Sequence, residues 1–236
     1  MAAVESGLEA AEYDLAVTPL RELNAALHAV DASSPQQWRV VNPRGAHALA
    51  VGIDAPVEVE IDGHAGYYCA GMNKHATVRV HGNAGVGVAE NIMSGTVIVE
   101  GNASQSAGAT GRGGLLVIRG SAAARCGISM KGVDIVVHGS VGHMSAFMAQ
   151  KGCLVVCGDA GEALGDSIYE AHLYVRGSVA ELGADCVEKE MRDEHLAELS
   201  ALLERAEVED CAPSEFRRYG SARQLYNFDV DNAGAY

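Results

Sequence analysis

Aromatic side chains are scarce in this chain: one Trp, three Phe and eight Tyr in 236 residues. An ordinary β-sandwich or α/β domain fills its centre with such rings, so this core must be assembled from smaller units. Positive charge is also short. Seventeen Lys and Arg face 31 Asp and Glu, a formal net charge of −14. That excludes the concentrated basic surface needed to hold nucleic acid or an anionic membrane. No run is long and apolar enough to span a bilayer, and the opening MAAVESGLEAAE has neither the basic nor the apolar region of a secretory signal. The six cysteines, at positions 69, 126, 153, 157, 186 and 211, lack the spacing of a disulfide framework. Reduced thiols in a cytoplasmic protein are the expectation. The nine histidines make no H-x-x-x-H or H-E-x-x-H pattern.

Glycine is in excess, at 28 of 236 residues where about 7% is usual. Its placement is periodic. The glycine closing each apolar run falls at Gly63, Gly82, Gly101, Gly120, Gly139, Gly158 and Gly177, every interval being 19 residues. Two columns stay apolar through the array: Val59, Val78, Val97, Leu116, Ile135, Leu154, Leu173 and Ile61, Val80, Val99, Ile118, Val137, Val156, Val175. They are two residues apart, so both face one side of a strand. A third column of small residues, Ala65, Ala84, Ala103, Ala122, Val141, Ala160 and Val179, follows the glycine. One strand and several bends per repeat describe one coil of a parallel β-helix, in which stacked coils turn each column into continuous core. The expected fold is therefore all-β: a single-stranded parallel β-helix of about seven coils with flanking N- and C-terminal helices. A left-handed helix of this kind is built from whole hexapeptides. The interval here does not divide into hexapeptides, so the right-handed form is expected. The identical intervals leave no room for an insertion or deletion. The cluster Gly82, Gly85 and Gly87 is then a recurring corner, where positive φ and close stacking ask for glycine, rather than a phosphate loop.

The array GHAG…GNAG resembles the GXGXG domain, the C-terminal β-helix of the glutamate synthase large subunit, over roughly residues 45–185. Three kinds of stand-alone version resemble it: a component of split glutamate synthases, a formylmethanofuran dehydrogenase subunit, and the small subunit of N-methylglutamate synthase. The tail EFRRYGSARQLYNF looks most like the last. The resemblance implies a non-catalytic structural subunit in a cytoplasmic hetero-oligomer, with no cofactor or metal of its own. Its expected partners are an amidotransferase-like subunit and a glutamate-synthase-like subunit carrying FMN and an iron–sulfur cluster. The complex would convert methylamine and glutamate to N-methylglutamate and ammonia. A split glutamate synthase is the nearest alternative. An independent β-helix enzyme acting on carbohydrate or acyl substrates is the alternative of another class.

Three regions follow: an N-terminal segment (1–44), the β-helix (45–185), and a C-terminal helix with a tail (186–236). Residues 1–12 carry no pattern. Next come a short strand and a helix with Thr18 as N-cap, Pro19 in its first turn, and Leu20, Leu23, Ala26 and Leu27 on one face. WRVVNPRGAHALAVGI offers two strands leading into the coils. VEKEMRDEHLAELSALLERAE reads as an amphipathic helix that caps the far end of the rod or docks on another subunit.

Catalytic groups are not evident. The outward column Asp62, His81, Glu100, Arg119, His138, Cys157, Arg176 places no two carboxylates on adjacent coils, as a glycosidase pair would require. Cys153 and Cys157 lie about 13 Å apart along one strand, too far to share a metal. The outward column between the core ladders begins Glu60, Arg79 and then turns apolar: Ile98, Val117, Val136, Val155, Tyr174. Such a stripe must be covered, by the chain's own ends or by a partner. Phe147 and Met148 at a bend, and Phe216, Arg217, Arg218, Tyr219, Arg223, Tyr226 and Phe228 in the tail, complete the candidate interface. On this reading, truncation after Asp210 leaves the β-helix folded and abolishes assembly.

Overall fold

The computed structural model describes residues 10–31 and 33–222. Strand β1 (Ala11–Asp14), helix α1 (Leu20–His28) and strand β2 (Gln37–Val41) lead into seven repeating strands. These are β3 (Glu58–Asp62), β4 (Thr77–Val80), β5 (Thr96–Val99), β6 (Leu115–Ile118), β7 (Asp134–Val137), β8 (Cys153–Val156) and β9 (His172–Val175). From β1 to β9 each strand pairs in parallel with the next, in chain order. Val59 stands against Val78, Val78 against Val97, and so on to Leu173. The small-residue column makes a second line of parallel bridges from Ala65 to Val179. This is the parallel β-helix that the glycine period predicts. Its interior is filled by the two aliphatic columns, none of whose members is more than 1% exposed.

The strands keep a constant interval, but the corners do not all do so. Lys131 bridges Lys151, one position beyond the strand interval, and Leu164 bridges Leu182, one position short of it. A corner therefore absorbs a slip that a strand, with its side chains alternating between core and outside, cannot.

Six of the seven ladder glycines have ordinary φ; Gly63 is the exception, at 139°. Positive φ does not explain Gly82 or Gly85 either, although Gly87 has φ 72°. What demands glycine there is proximity. A Cβ on Gly120 would stand 2.8 Å from the Gly101 carbonyl oxygen and 2.4 Å from Asn102 Oδ1. The left-handed conformation instead recurs three times per coil, in columns such as Tyr68, Ala70, Met72 and Ser106, Gly108, Thr110. Each such turn lets a backbone N–H reach the neighbouring coil, as Thr110 N does to Ile128 O at 2.9 Å. A β-branched residue suits that conformation least. Thr110→Asn is expected to add about 0.5–1 kcal/mol of stability, read as a rise in Tm, because the new amide can still donate to Asn91 Oδ1 as Thr110 Oγ1 does.

At the N-terminal end, Leu23 and Leu27 of α1 are buried against the first coil. Asn24 Nδ2 donates to Ala48 O at 2.8 Å, and His28 Nε2 lies 2.7 Å from Val51 O. Pro19, rather than Thr18, is the N-cap, and no side chain caps the helix. Ala11 and Glu12 belong to β1 rather than to an unpatterned tail. Of the two strands expected in WRVVNPRGAHALAVGI only β2 forms; Ala48, Ala50 and Gly52 take the three left-handed positions of a first corner.

The C-terminal end departs further from expectation. Residues Cys186–Lys189 form strand β10, so helix α2 runs only over Asp193–Arg205. A 3-10 turn at Pro213–Glu215 then leads into strand β11 (Arg217–Ser221). This strand inserts antiparallel between β9 and β10, ending the parallel stack. The rod is closed by these two strands, whereas α2 lies along its side.

Candidate functional site

Helix α2 covers the outer apolar column. Ile98, Val117, Val136, Val155 and Tyr174 are 0–8% exposed and form one cluster with Leu199, Leu202, Leu203, Ala206, Val208 and Phe216. The cover over this stripe is thus the chain's own helix. Arg119 fastens the helix end: its guanidinium donates to Ala206 O and Glu207 Oε2, each at 2.7 Å, where a cation also meets the negative end of the helix dipole. In the sequence Arg119 reads only as one member of an outward column; the structure makes it a clamp. Three other members of that column do pair along the surface, with Arg39 on Asp62, His81 on Glu60 and Arg79 on Glu100.

The other candidate interface residues are dispersed. Met148 is 39% exposed at a bend and Phe147 beside it is half-buried. Phe216 and Tyr219 are buried within this chain, the first beneath α2 and the second against the β-helix core. Arg218 is also buried and donates from Nε to Glu190 O at 3.0 Å. Arg217 reaches Gly177 O at 3.0 Å and lies over the Tyr219 ring. These four residues are therefore part of the last described strand, β11, and its surroundings, which corrects their reading as free anchors. Arg223, Tyr226 and Phe228 lie outside the described residues.

A polar cluster that the sequence did not suggest sits at one end of the α2 groove. Cys153 opens β8 and His172 opens β9; they are register partners on adjacent strands. Glu198 of α2 points down between them. His172 Nδ1 is 2.8 Å from Glu198 Oε2, and the Tyr174 hydroxyl donates to the same oxygen. Among the described residues, Cys153, His172 and Glu198 are the one group of three or more metal-ligating side chains with converging ligand atoms, all within 4.8 Å of one another. The His195 ring meets that of His172 edge-on at 5.4 Å. A pocket of 540 Å³ opens beside them, lined by His172, Lys189, Glu190, Arg192 and Arg218. The Cys153–His172 contact follows from the repeat interval. Glu198 does not, because nothing in the repeat says where α2 lies.

The chemistry of this cluster is that of a latch rather than an activated nucleophile. The hydrogen bond with His172, and then that from Tyr174, holds Glu198 down at about 2 from an ordinary 4.5, against an opposing effect of burial. Burial, followed by the Glu198 charge, pushes the Cys153 thiol up, so it stays protonated at neutral pH. A carboxyl group whose folded pKa is depressed contributes stability that is present above its unfolded pKa and lost as pH falls through the folded one. The α2 latch should therefore weaken between about pH 4.5 and about pH 2. Glu198→Gln is expected to flatten the fall of Tm across that window, measured by thermal melts at each pH.

Fold and site together define a β-solenoid protein: stacked coils with a filled centre, and one helix strapped along the outside. No family model matches the chain. It is 68% identical over 224 residues to Protein GlxC of Rhizobium meliloti (strain 1021), covering 94% of this chain and 98% of that protein. The chain belongs to the GlxC family.

Proposed function

We propose that this chain is the structural subunit of a glutamate-synthase-like complex, specifically an N-methylglutamate synthase. The observation that supports this reading is the architecture itself. The coil interior is packed with aliphatic side chains, and the charged groups of the two outer columns pair with each other or with the residues at the end of α2. Large apolar side chains nonetheless remain exposed at the bends: Tyr67, Tyr68, Met72, Met93 and Met148, each 39–50% exposed. Met72 and Met148 occupy the same left-handed column, four coils apart. A rigid rod with adaptable apolar groups along a corner suits the holding of two larger proteins in register. The resemblance to the GXGXG domain favours an amidotransferase-like subunit and an FMN- and iron–sulfur-bearing subunit as those proteins.

In that complex the flavin subunit would carry out the oxidation and reduction, and this chain would bring the two catalytic subunits together. The test is co-expression with the proteins encoded beside it, followed by affinity purification through this chain. The expected result is a coloured complex that converts methylamine and glutamate to N-methylglutamate, while this chain alone is colourless and inactive. Stoichiometric flavin or iron on this chain alone would overturn the scaffold reading. A complex that uses glutamine and ignores methylamine would retain the scaffold but replace the reaction with that of a split glutamate synthase.

A further inference from the structure

The geometry points to a zinc site formed by Cys153, His172 and Glu198, which staples helix α2 to strands β8 and β9. Three different donors converge from three separate elements: a sulfur, a ring nitrogen and a carboxylate oxygen, mutually within 4.8 Å. Zinc bound at about 2.0–2.3 Å to such donors separates them by about 3.5 Å in a tetrahedron. His172 Nδ1 and Glu198 Oε2, hydrogen-bonded at 2.8 Å, would part by less than about 1 Å to admit the ion. Any wider pair closes toward the same spacing, and both movements are within reach of side-chain rotation. The donor set is selective. A thiolate with an imidazole suits zinc, whereas magnesium and calcium take oxygen donors alone.

The surroundings supply what a first set of ligands needs. The Tyr174 hydroxyl already donates to Glu198 Oε2 and so orients the carboxylate. Cys153 is buried, while His172 borders the 540 Å³ pocket. The site thus meets a solvent-connected space on its His172 side, from which water can take the fourth position. Charge balances as well. Metal binding displaces the Cys153 proton to solvent, and the thiolate and carboxylate together neutralise Zn²⁺. Arg218, the nearest buried cation, keeps its own partner at Glu190 O. The neighbouring thiols Cys157 and Cys211, which contact each other, belong to a different position along the groove and provide an internal control.

The experiment titrates the purified full chain, stripped with chelator, with zinc and separately with cobalt(II). One zinc per chain is expected by native mass spectrometry, together with a rise in Tm. Cobalt should give the intense visible bands of a tetrahedral site and a thiolate charge-transfer band in the near ultraviolet. Cys153→Ser should remove the charge-transfer band and weaken zinc binding at least a hundredfold, while Cys211→Ser should change neither. His172→Gln, which keeps a polar group at the latch, should weaken binding similarly, with folding checked by circular dichroism in all three variants. Weak octahedral cobalt bands alone, or zinc held equally well by Cys153→Ser, would overturn the proposal. So would loss of binding only in Cys211→Ser. None of these outcomes bears on whether the chain assembles with partner subunits.

Discussion

Replacing Gly120 with valine is expected to cost the protein its stable fold. Gly120 N donates to Gly101 O at 3.0 Å, and the same carbonyl would lie 2.8 Å from the new Cβ. The obstruction is backbone, with Gly101 C at 2.9 Å, and backbone in a stacked coil cannot retreat without parting the coils. Overpacking of this kind costs about 3 kcal/mol before the two γ-methyl groups are placed, a large part of a typical stability of about 5–15 kcal/mol. Gly45→Ala is the contrasting case. No atom lies within 4 Å of its Cβ position, and only its φ of 71° resists the change, for a cost of about 1 kcal/mol. Urea unfolding of the two variants separates stacking distance from backbone conformation. Equal losses would refute the proximity argument.

Truncation gives the second large effect. Ending the chain after Lys189 removes α2 and β11, and with them Leu199, Leu202, Leu203, Ala206, Val208, Phe216 and Tyr219 from buried positions. At about 1.5–3 kcal/mol for each large apolar side chain, the loss rivals the whole stability of a domain. It also bares Val117, Val136, Val155 and Tyr174 as a continuous stripe. The expected outcome is insoluble protein. Ending after Asp210 keeps α2 but removes Phe216 and the strand that pairs with both β9 and β10. That variant is expected to melt well below the full chain, contrary to what the tail's sequence suggests on its own. An unchanged cooperative melt would show that β11 contributes nothing to the fold.

The contrast shows what a repeat discloses. The inward columns were legible because stacking makes each position meet its equivalent in the next coil, so Val78 needs an apolar neighbour at Val97. The bends were not. Their left-handed positions hold Tyr68, Met72, Thr110, Arg125 and Met148, residues that carry no signal for that conformation. The glycines that do stand out, such as Gly120, were marked by close approach instead. Phe216 and Tyr219 looked surplus to the core because β11 runs antiparallel and lies outside the period. Placement of α2 rests on tertiary packing, so the site shared by Cys153, His172 and Glu198 was half visible at most. The cysteine and histidine are one repeat apart; the glutamate joins them from a helix whose docking no local pattern specifies.

Helix α2 also changes how the rod comes apart. A bare solenoid is nearly one-dimensional: each coil touches only its neighbours, so the ends can unzip while the middle persists. Here one rigid element rests on strands from β5 to β9, and Arg119 closes contacts 87 and 88 residues away in the chain. No coil beneath the helix can leave without lifting it from the others. Amide protection from hydrogen exchange should therefore be level from β5 to β9 and decline only toward β3 and β2. Folding of that half must also wait until Asp193–Arg205 has been made, since the piece that unites these strands follows all of them in the chain.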